Sequence, residues 1–176
     1  MSGRNTVSCL DPVNLIQRLQ SVQNAAARLT FRIRRSEHIT PALISPHWLR
    51  VPERISFKLA VMTYRSIDGT SPSYLQSCFT CVSDMTSRRR LRSSASYHLD
   101  VPQVRLSSVD RRAFPVSGAT VWNDLPLHVA SVPSLAVFRQ RLKTFFSRSY
   151  QTLSHDSSVT ITIHHYCLDT RGPRNK

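Results

Sequence analysis

The sequence predicts a small, mostly α-helical domain, on three observations. Apolar residues recur at spacings of three and four in three separate stretches. Glycine is scarce, with 4 of 176 residues, which excludes collagen-like and most glycine-loop architectures. The β-forming signals are short, at 99–102, at 104–106 and within the tail at 159–163, so we expect at most one short β-ribbon. The predicted domain therefore has irregular basic loops between helices and a disordered C-terminal tail.

The first predicted helix covers residues 12–29. Asp11 is an N-cap residue, and Pro12 takes the first helical position. Apolar residues then recur at spacings of four, three, four and three, at Leu15, Leu19, Val22, Ala26 and Leu29. This amphipathic pattern predicts about five helical turns. A coiled-coil seam is the alternative, but the heptads are few, so we expect this face to pack on its own domain.

Two further long helices are predicted over 52–67 and 133–146. The first has a broad apolar face and ends at Asp68-Gly69, because glycine accepts a positive φ. The second has apolar residues at spacings of three and four from Leu135 to Phe145. Short helices are predicted after Ser36, within 72–79 and within 111–123, and Pro41 and Pro46 are expected to keep the stretch after Ser36 irregular. The predicted core contains Leu19, Val22, Leu29, Ile55, Leu59, Phe138 and Leu142, with Trp122 beneath.

The chain is strongly basic. Lys and Arg number 24 against 10 Asp and Glu, for a net charge of +14, and all but Lys58, Lys143 and Lys176 are arginine. Such a charge predicts a polyanion or an acidic protein surface as the partner. Arginine binds phosphate with two hydrogen bonds and stacks on bases, so the arginine bias favours nucleic acid. The alternative explanation is a GC-rich coding sequence that inflates the arginine content.

Three basic clusters are the predicted nucleic-acid-binding residues. They would contact the phosphate backbone of RNA or DNA without reading its sequence. The alternative is surface charge that faced other domains of a larger protein. The first cluster is Arg32, Arg34 and Arg35; the second is Arg88, Arg89, Arg90 and Arg92; the third is Arg105, Arg111 and Arg112. Aromatic residues could stack on bases, but their places on apolar faces favour core packing for Trp48, Phe57, Phe114, Trp122 and Phe138.

The sequence contains no recognisable set of catalytic residues, so the chain is predicted not to be an enzyme and to need no cofactor. His47, His98 and His128 are candidate bases, but no nucleophile elbow, phosphate loop or glycine fingerprint accompanies them.

Cys78 and Cys81 have the spacing of a zinc or redox pair, and their candidate zinc partners are distant, at His164, His165 and Cys167. A lone pair is weak evidence for zinc. Two ordinary thiols are the favoured interpretation, and zinc binding stays open.

Membrane insertion and secretion are not predicted. The longest apolar run, Leu59 to Tyr64, is far shorter than the roughly 20 residues of a membrane span. The first residues carry no signal-peptide pattern. We therefore expect an intracellular rather than a secreted protein, with no membrane partner.

A series of short motifs runs in order along residues 13–150. It comprises LQxxQNAAARL at 19–29, HWL at 47–49, VxxRIxFK at 51–58, PSYL at 72–75, RxRSS at 90–94, RAF at 112–114, WNxLP at 122–126 and SLxxFxxxLK at 134–143. This order resembles the C-terminal region of non-LTR, LINE-type retrotransposon reverse transcriptases of the chicken-repeat and jockey-like kinds. Arg50 and Asp68 depart from the family pattern, which usually has proline at the first position and His or Asn at the second.

The resemblance implies a thumb and post-thumb segment that follows the polymerase palm. Residues 11–150 would be this thumb-like part, residues 1–10 a disordered N-terminus and residues 151–176 an unrelated, disordered tail. The chain has no Asp-Asp pair to hold two catalytic metal ions. The expected function is therefore a non-catalytic reverse-transcriptase remnant that binds nucleic-acid backbone. The alternatives are an interaction or structural protein with no nucleic-acid role, or a chain with no independent function.

Overall fold

The computed structural model describes residues 12–46, 48–85, 97–105 and 110–152. Seven α-helices occur in these ranges: α1 Pro12–Phe31, α2 Thr40–Ile44, α3 Val51–Ile67, α4 Ser73–Gln76, α5 Phe114–Asn123, α6 Leu127–Ala130 and α7 Leu135–Thr152. Short 3₁₀ helices cover Val82–Asp84 and Asp110–Arg112. The described ranges contain no strand, and one antiparallel bridge joins Cys81 to Leu99. The predicted mostly α-helical class is confirmed, and the predicted β-ribbon is reduced to this bridge.

α1 and α3 begin and end within two residues of their predicted positions, whereas α7 starts two residues later and ends six residues later than predicted. α3 ends in the glycine cap that the sequence indicates: Gly69 has φ 73°, and Thr70 N donates to Arg65 O at 2.9 Å. α7 continues to Thr152, two residues into the predicted tail. The short helix predicted after Ser36 starts at Thr40 as α2, and it includes Pro41, where irregular chain was predicted, since proline fits the first turn of a helix. Asp11 and the predicted disordered segments 1–10 and 153–176 lie outside the described residues.

The core lies where α3, α5 and α7 meet. The Tyr64 and Phe138 rings stack with their centroids 4.5 Å apart, and Trp122 lies 5.9 Å from Phe138. Phe138 and Leu142 are completely buried, and Trp122 is nearly so. These three predicted core positions are confirmed, whereas Ile55 and Leu59 are only half-buried.

α3 and α5 approach closely because small residues line their contact. Ala60 and Thr63 on α3 are fully buried, as is Ala119 on α5. A Cβ atom on Gly118 would lie 2.7 Å from Thr63 Oγ1 and 2.8 Å from Phe79 Cζ. A Cβ atom at this position would therefore clash, and the close helix crossing requires glycine.

The segment around the Cys81–Leu99 bridge is held by side chains of α5. Asn123 Oδ1 accepts a hydrogen bond from Leu99 N at 2.8 Å, and Asn123 Nδ2 donates to Leu99 O at 2.9 Å. Trp122 Nε1 donates to Tyr97 O at 2.8 Å. Backbone groups of Tyr97 and Leu99 are therefore hydrogen-bonded by side chains of α5, where a longer strand pair would have used a second strand.

α1 packs on α2 and α3 with a different side from the predicted one. Leu19, Val22 and Leu29 are 48%, 69% and 82% exposed, so their assignment to the core was wrong. Ala27 is fully buried, and Gln20 and Gln23 face the α3 entry. Gln20 Oε1 accepts from Val51 N at 2.9 Å, and Gln23 Nε2 donates to Leu49 O at 2.8 Å. These bonds satisfy backbone groups at the start of α3, and they fix which side of α1 faces inward.

Among the described residues, we find no helix whose length and apolar character would suit it to crossing a membrane.

Candidate nucleic-acid interface

Six of the ten predicted nucleic-acid-binding arginines fall in the described ranges. All six are exposed: Arg32, Arg34, Arg35, Arg105, Arg111 and Arg112. The second cluster, Arg88, Arg89, Arg90 and Arg92, lies outside the described residues. The candidate interface is therefore built from the first and third clusters.

The first cluster follows the C-terminus of α1. Arg32 has φ 52°, the left-handed conformation that closes a helix, and Ile33 N donates to Arg28 O at 3.0 Å. Arg28 donates through its guanidinium to the carbonyl oxygens of Arg34 and Glu37. Arg28 therefore holds the loop backbone, while the side chains of the first cluster stay exposed to solvent.

The third cluster surrounds the start of α5. Arg105 N donates to Asp110 Oδ2 at 3.1 Å, which brings Arg105 close to the 3₁₀ turn that carries Arg111 and Arg112. Ala113 N donates to Asp110 O at 3.0 Å and continues this turn towards α5. Asp110 organises the backbone of the cluster, and its charge offsets part of the positive charge there.

The first and third clusters are carried by different elements. α1 packs on α2 and α3, whereas the Asp110–Arg112 turn packs on α5. The described part of the interface is thus carried by two elements, the end of α1 and the turn before α5.

A further basic row lies on α3 and was not among the residues predicted from the sequence. Arg54, Lys58 and Arg65 are exposed, and Met62 lies between them on the same side of the helix. Arg139 and Lys143 form a similar exposed pair on α7. The signal in the sequence was the spacing of four or seven among the basic residues, which places them on one helix face. This row does not stand out in the sequence as a run of consecutive arginines does, because its members are separated along the chain.

The aromatic side chains mostly take part in packing. Trp122 and Phe138 are buried, and Phe57 and Phe114 are half-buried, with Phe114 edge-on to Phe79 at 5.2 Å. Trp48 is partly exposed, and its ring packs edge-on against Phe31 at 6.2 Å. Burial prevents Trp122 and Phe138 from stacking on bases.

Cys78 and Cys81 are free, half-buried thiols. Cys78 Sγ donates to Tyr74 O at 3.3 Å. Burial, and then the charge of Asp84, raise the pKa of Cys81, so this thiol stays protonated and unreactive at neutral pH. Within the described ranges, His, Cys, Asp and Glu form no group of three or more that could hold a metal ion. The candidate zinc partners His164, His165 and Cys167 lie outside these ranges.

Two of the three candidate catalytic histidines lie in the described ranges, His98 beside the Cys81–Leu99 bridge and His128 on α6. His98 and His128 are exposed, and both use their backbone carbonyls as acceptors, from Val82 N and Arg141 Nη1 respectively. His47 lies outside the described residues.

This chain matches no protein-family model, no curated protein and no solved structure.

Proposed function

We propose that this chain is a non-catalytic module, a remnant of a non-LTR reverse transcriptase, that binds the phosphate backbone of RNA or DNA without sequence specificity. The observation that carries the proposal is the exposure of six predicted arginines beside an ordered helical core. They belong to two patches, one at the end of α1 and one at the start of α5.

The charge of the chain supports a polyanionic partner. The net charge is +14, and the exposed row on α3 adds Arg54, Lys58 and Arg65 to the clusters. Each phosphate that a basic side chain neutralises releases condensed counterions, and this release drives binding. Contacts to phosphates position a protein without reading bases, so affinities for different sequences should be similar.

The non-catalytic part of the proposal rests on the acidic residues. Polymerases of the resembled family hold two metal ions with paired aspartates, and this sequence has no Asp-Asp pair. With any primer–template and Mg²⁺, we expect no incorporation of labelled nucleotide. Incorporation that disappears on mutation of a single residue of this chain would contradict this part.

Salt dependence of binding tests the nucleic-acid part. If the clusters contact about five phosphates, the slope of log K against log salt is about −4.5 for duplex and about −3.5 for single strands. Affinity for duplex then falls by about 500-fold between 50 and 200 mM salt. Fluorescence anisotropy with a labelled duplex at several salt concentrations measures this slope.

Variants of each cluster show which arginines contribute. The double variants Arg34→Ala/Arg35→Ala and Arg111→Ala/Arg112→Ala should each flatten the duplex slope by about 0.9 for every phosphate that is no longer neutralised. The quadruple replacement of Arg88, Arg89, Arg90 and Arg92 by alanine should do the same. Arg18→Ala removes an exposed charge outside the clusters and is the matched control. A slope near zero, or cluster variants that bind as the parent does, would contradict the proposal.

The main alternative is an interaction protein with no nucleic-acid role. The exposed apolar side chains of α1 favour a protein contact.

A further inference from the structure

α1 presents a row of apolar side chains to solvent. Leu15 and Leu19 are about half exposed, and Val22 and Leu29 are mostly exposed. With Ala26 these residues make up the apolar stripe of α1, at spacings of four, three, four and three. Single exposed apolar residues are ordinary on a protein surface, but a continuous row on one helix face marks an interaction site.

The apolar stripe cannot turn inward without breaking the contacts that hold α1. The adjoining flank contains Gln20 and Gln23, which are hydrogen-bonded to the backbone of Val51 and Leu49. Ala27 is fully buried on that flank and allows the close approach of α1 to its neighbours. The stripe therefore faces outward from the packed helices, and a covering surface has to come from outside the described residues.

The spacing of the stripe fits another helix as its cover. Alternate spacings of four and three are the a and d positions of a heptad, which pack into the side chains of a facing helix. The stripe spans little more than two heptads, about 20 Å at 1.5 Å per residue. That length suits docking of one amphipathic helix onto a folded domain.

The charges around the stripe indicate which sign of charge that helix would carry. Arg18 lies three and four residues from Leu15 and Val22, so it borders the stripe, and Arg32 comes directly after the last residue of α1. Both are exposed, and α1 contains no acidic residue. A second copy of this chain would bring the same positive border and a net charge of +14. An acidic partner would meet opposite charge instead.

We infer that the apolar stripe of α1 docks an acidic amphipathic helix of another protein, with apolar residues in its seam and Asp or Glu beside them. Arg18 belongs to none of the three basic clusters, but Arg32 belongs to the first, so this site adjoins one patch of the proposed nucleic-acid interface.

Synthetic peptides test the inference on the full chain. The probe is a four-heptad peptide with leucine at a and d and glutamate at the flanking e and g positions. One control peptide has lysine in place of glutamate, and a second keeps glutamate but has serine at a and d. Isothermal titration calorimetry should show binding of the probe at least about tenfold tighter than of either control, because both apolar anchors and charge complementarity are needed.

Two protein variants locate the site. Leu19→Ser/Val22→Ser should weaken probe binding by about tenfold or more, since it removes two apolar side chains from the seam. Arg18→Glu should reduce the preference for the glutamate peptide over the lysine peptide. Arg111→Ala/Arg112→Ala removes two charges far along the chain from α1 and should leave probe binding unchanged. Circular dichroism of each variant checks that the fold is retained.

Four outcomes would overturn the inference. The first is equal binding of the glutamate and lysine peptides, and the second is a Leu19→Ser/Val22→Ser variant that binds the probe as the parent does. The third is a parent dimer in sedimentation velocity that this variant abolishes, which would assign the stripe to a second copy. The fourth is binding to anionic lipid vesicles that depends on the stripe while probe binding does not, which would assign it to a lipid surface.

Discussion

Val51 N donates a hydrogen bond to Gln20 Oε1 at 2.9 Å and so joins the first turn of α3 to the middle of α1. The first N–H groups of a helix have no partner within the helix, and the residue before this turn, Arg50, supplies no side-chain cap. A glutamine 31 residues earlier satisfies one of them. This bond helps to hold a polar flank of α1 against the start of α3.

Replacement of Gln20 should destabilise the fold although its side chain is not apolar. Gln20→Ala removes the acceptor for Val51 N, and we expect the free energy of unfolding to fall by about 1 kcal/mol. Urea denaturation measures the change. Gln17→Ala is the matched control, because Gln17 is exposed on the same helix and should change the value by less than about 0.5 kcal/mol. Equal effects of the two substitutions would contradict the role of this bond.

Phe138 should be among the most costly positions to truncate. Its ring is fully buried and stacks on Tyr64, so Phe138→Ala should lower the free energy of unfolding by about 3–5 kcal/mol. The neighbouring Val137→Ala, at an exposed position, should cost far less. Chemical denaturation of both variants checks the difference. If the parent lies too close to its unfolding limit for Phe138→Ala to fold, Phe138→Leu should show a smaller loss of the same sign.

Gly118 should respond to alanine in the opposite sense from an ordinary helical glycine. Alanine normally stabilises a helix by about 0.5–1 kcal/mol relative to glycine. Here the new methyl group would lie 2.7 Å from Thr63 Oγ1 and 2.8 Å from Phe79 Cζ, so Gly118→Ala should cost about 1–3 kcal/mol. Thermal unfolding followed by circular dichroism measures it, and a rise in Tm would contradict the close helix crossing.

At Gly69 the cost of alanine should come from the backbone conformation, unlike the steric cost at Gly118. Nothing lies within 4 Å of a Cβ atom there, but φ is 73°. Gly69→Ala should therefore cost about 1 kcal/mol through backbone conformation alone, as urea denaturation would show. A gain in stability would contradict the glycine cap at the end of α3.

The free energy of unfolding should fall at alkaline pH because of the ionisation of Tyr64. Its hydroxyl donates to Val132 O at 3.0 Å, and burial, followed by the charge of Asp68, raises the pKa of Tyr64. Above a pH of about 10 the unfolded chain loses this proton while the folded chain keeps it. The unfolded state is then favoured, and stability is lost as the pH rises from that point towards the folded pKa.

Tyr64→Phe isolates this effect. The variant should be less stable at pH 7 by about 1 kcal/mol, because Val132 O no longer has its donor, and its stability should fall less than that of the parent between about pH 9 and 11. Urea denaturation at several pH values gives both quantities. Tyr74→Phe, at an exposed tyrosine, is the control and should follow the parent curve. Parallel curves for the parent and Tyr64→Phe would contradict the assignment.

Local patterns in the sequence were enough to predict the helical class and the three long helices. A period of 3.6 residues, proline at a helix start and glycine after a helix end act over a few residues, so they can be recognised without tertiary information. The glycine cap at Gly69 and the burial of Phe138, Leu142 and Trp122 followed from such patterns. The exposure of Arg32, Arg34, Arg35, Arg105, Arg111 and Arg112 agrees with their expected surface placement.

The orientation of α1 was decided only by the tertiary structure. The apolar stripe of α1 has the periodicity of a core face, and hydrophobic pattern alone assigns Leu19, Val22 and Leu29 to the interior. The N–H of Val51 and the carbonyl of Leu49 need partners, and the glutamines that supply them are far away in sequence. The hydrophobic pattern of a helix shows how much apolar surface the helix has. Which neighbouring element covers that surface depends on all the elements that pack around the helix.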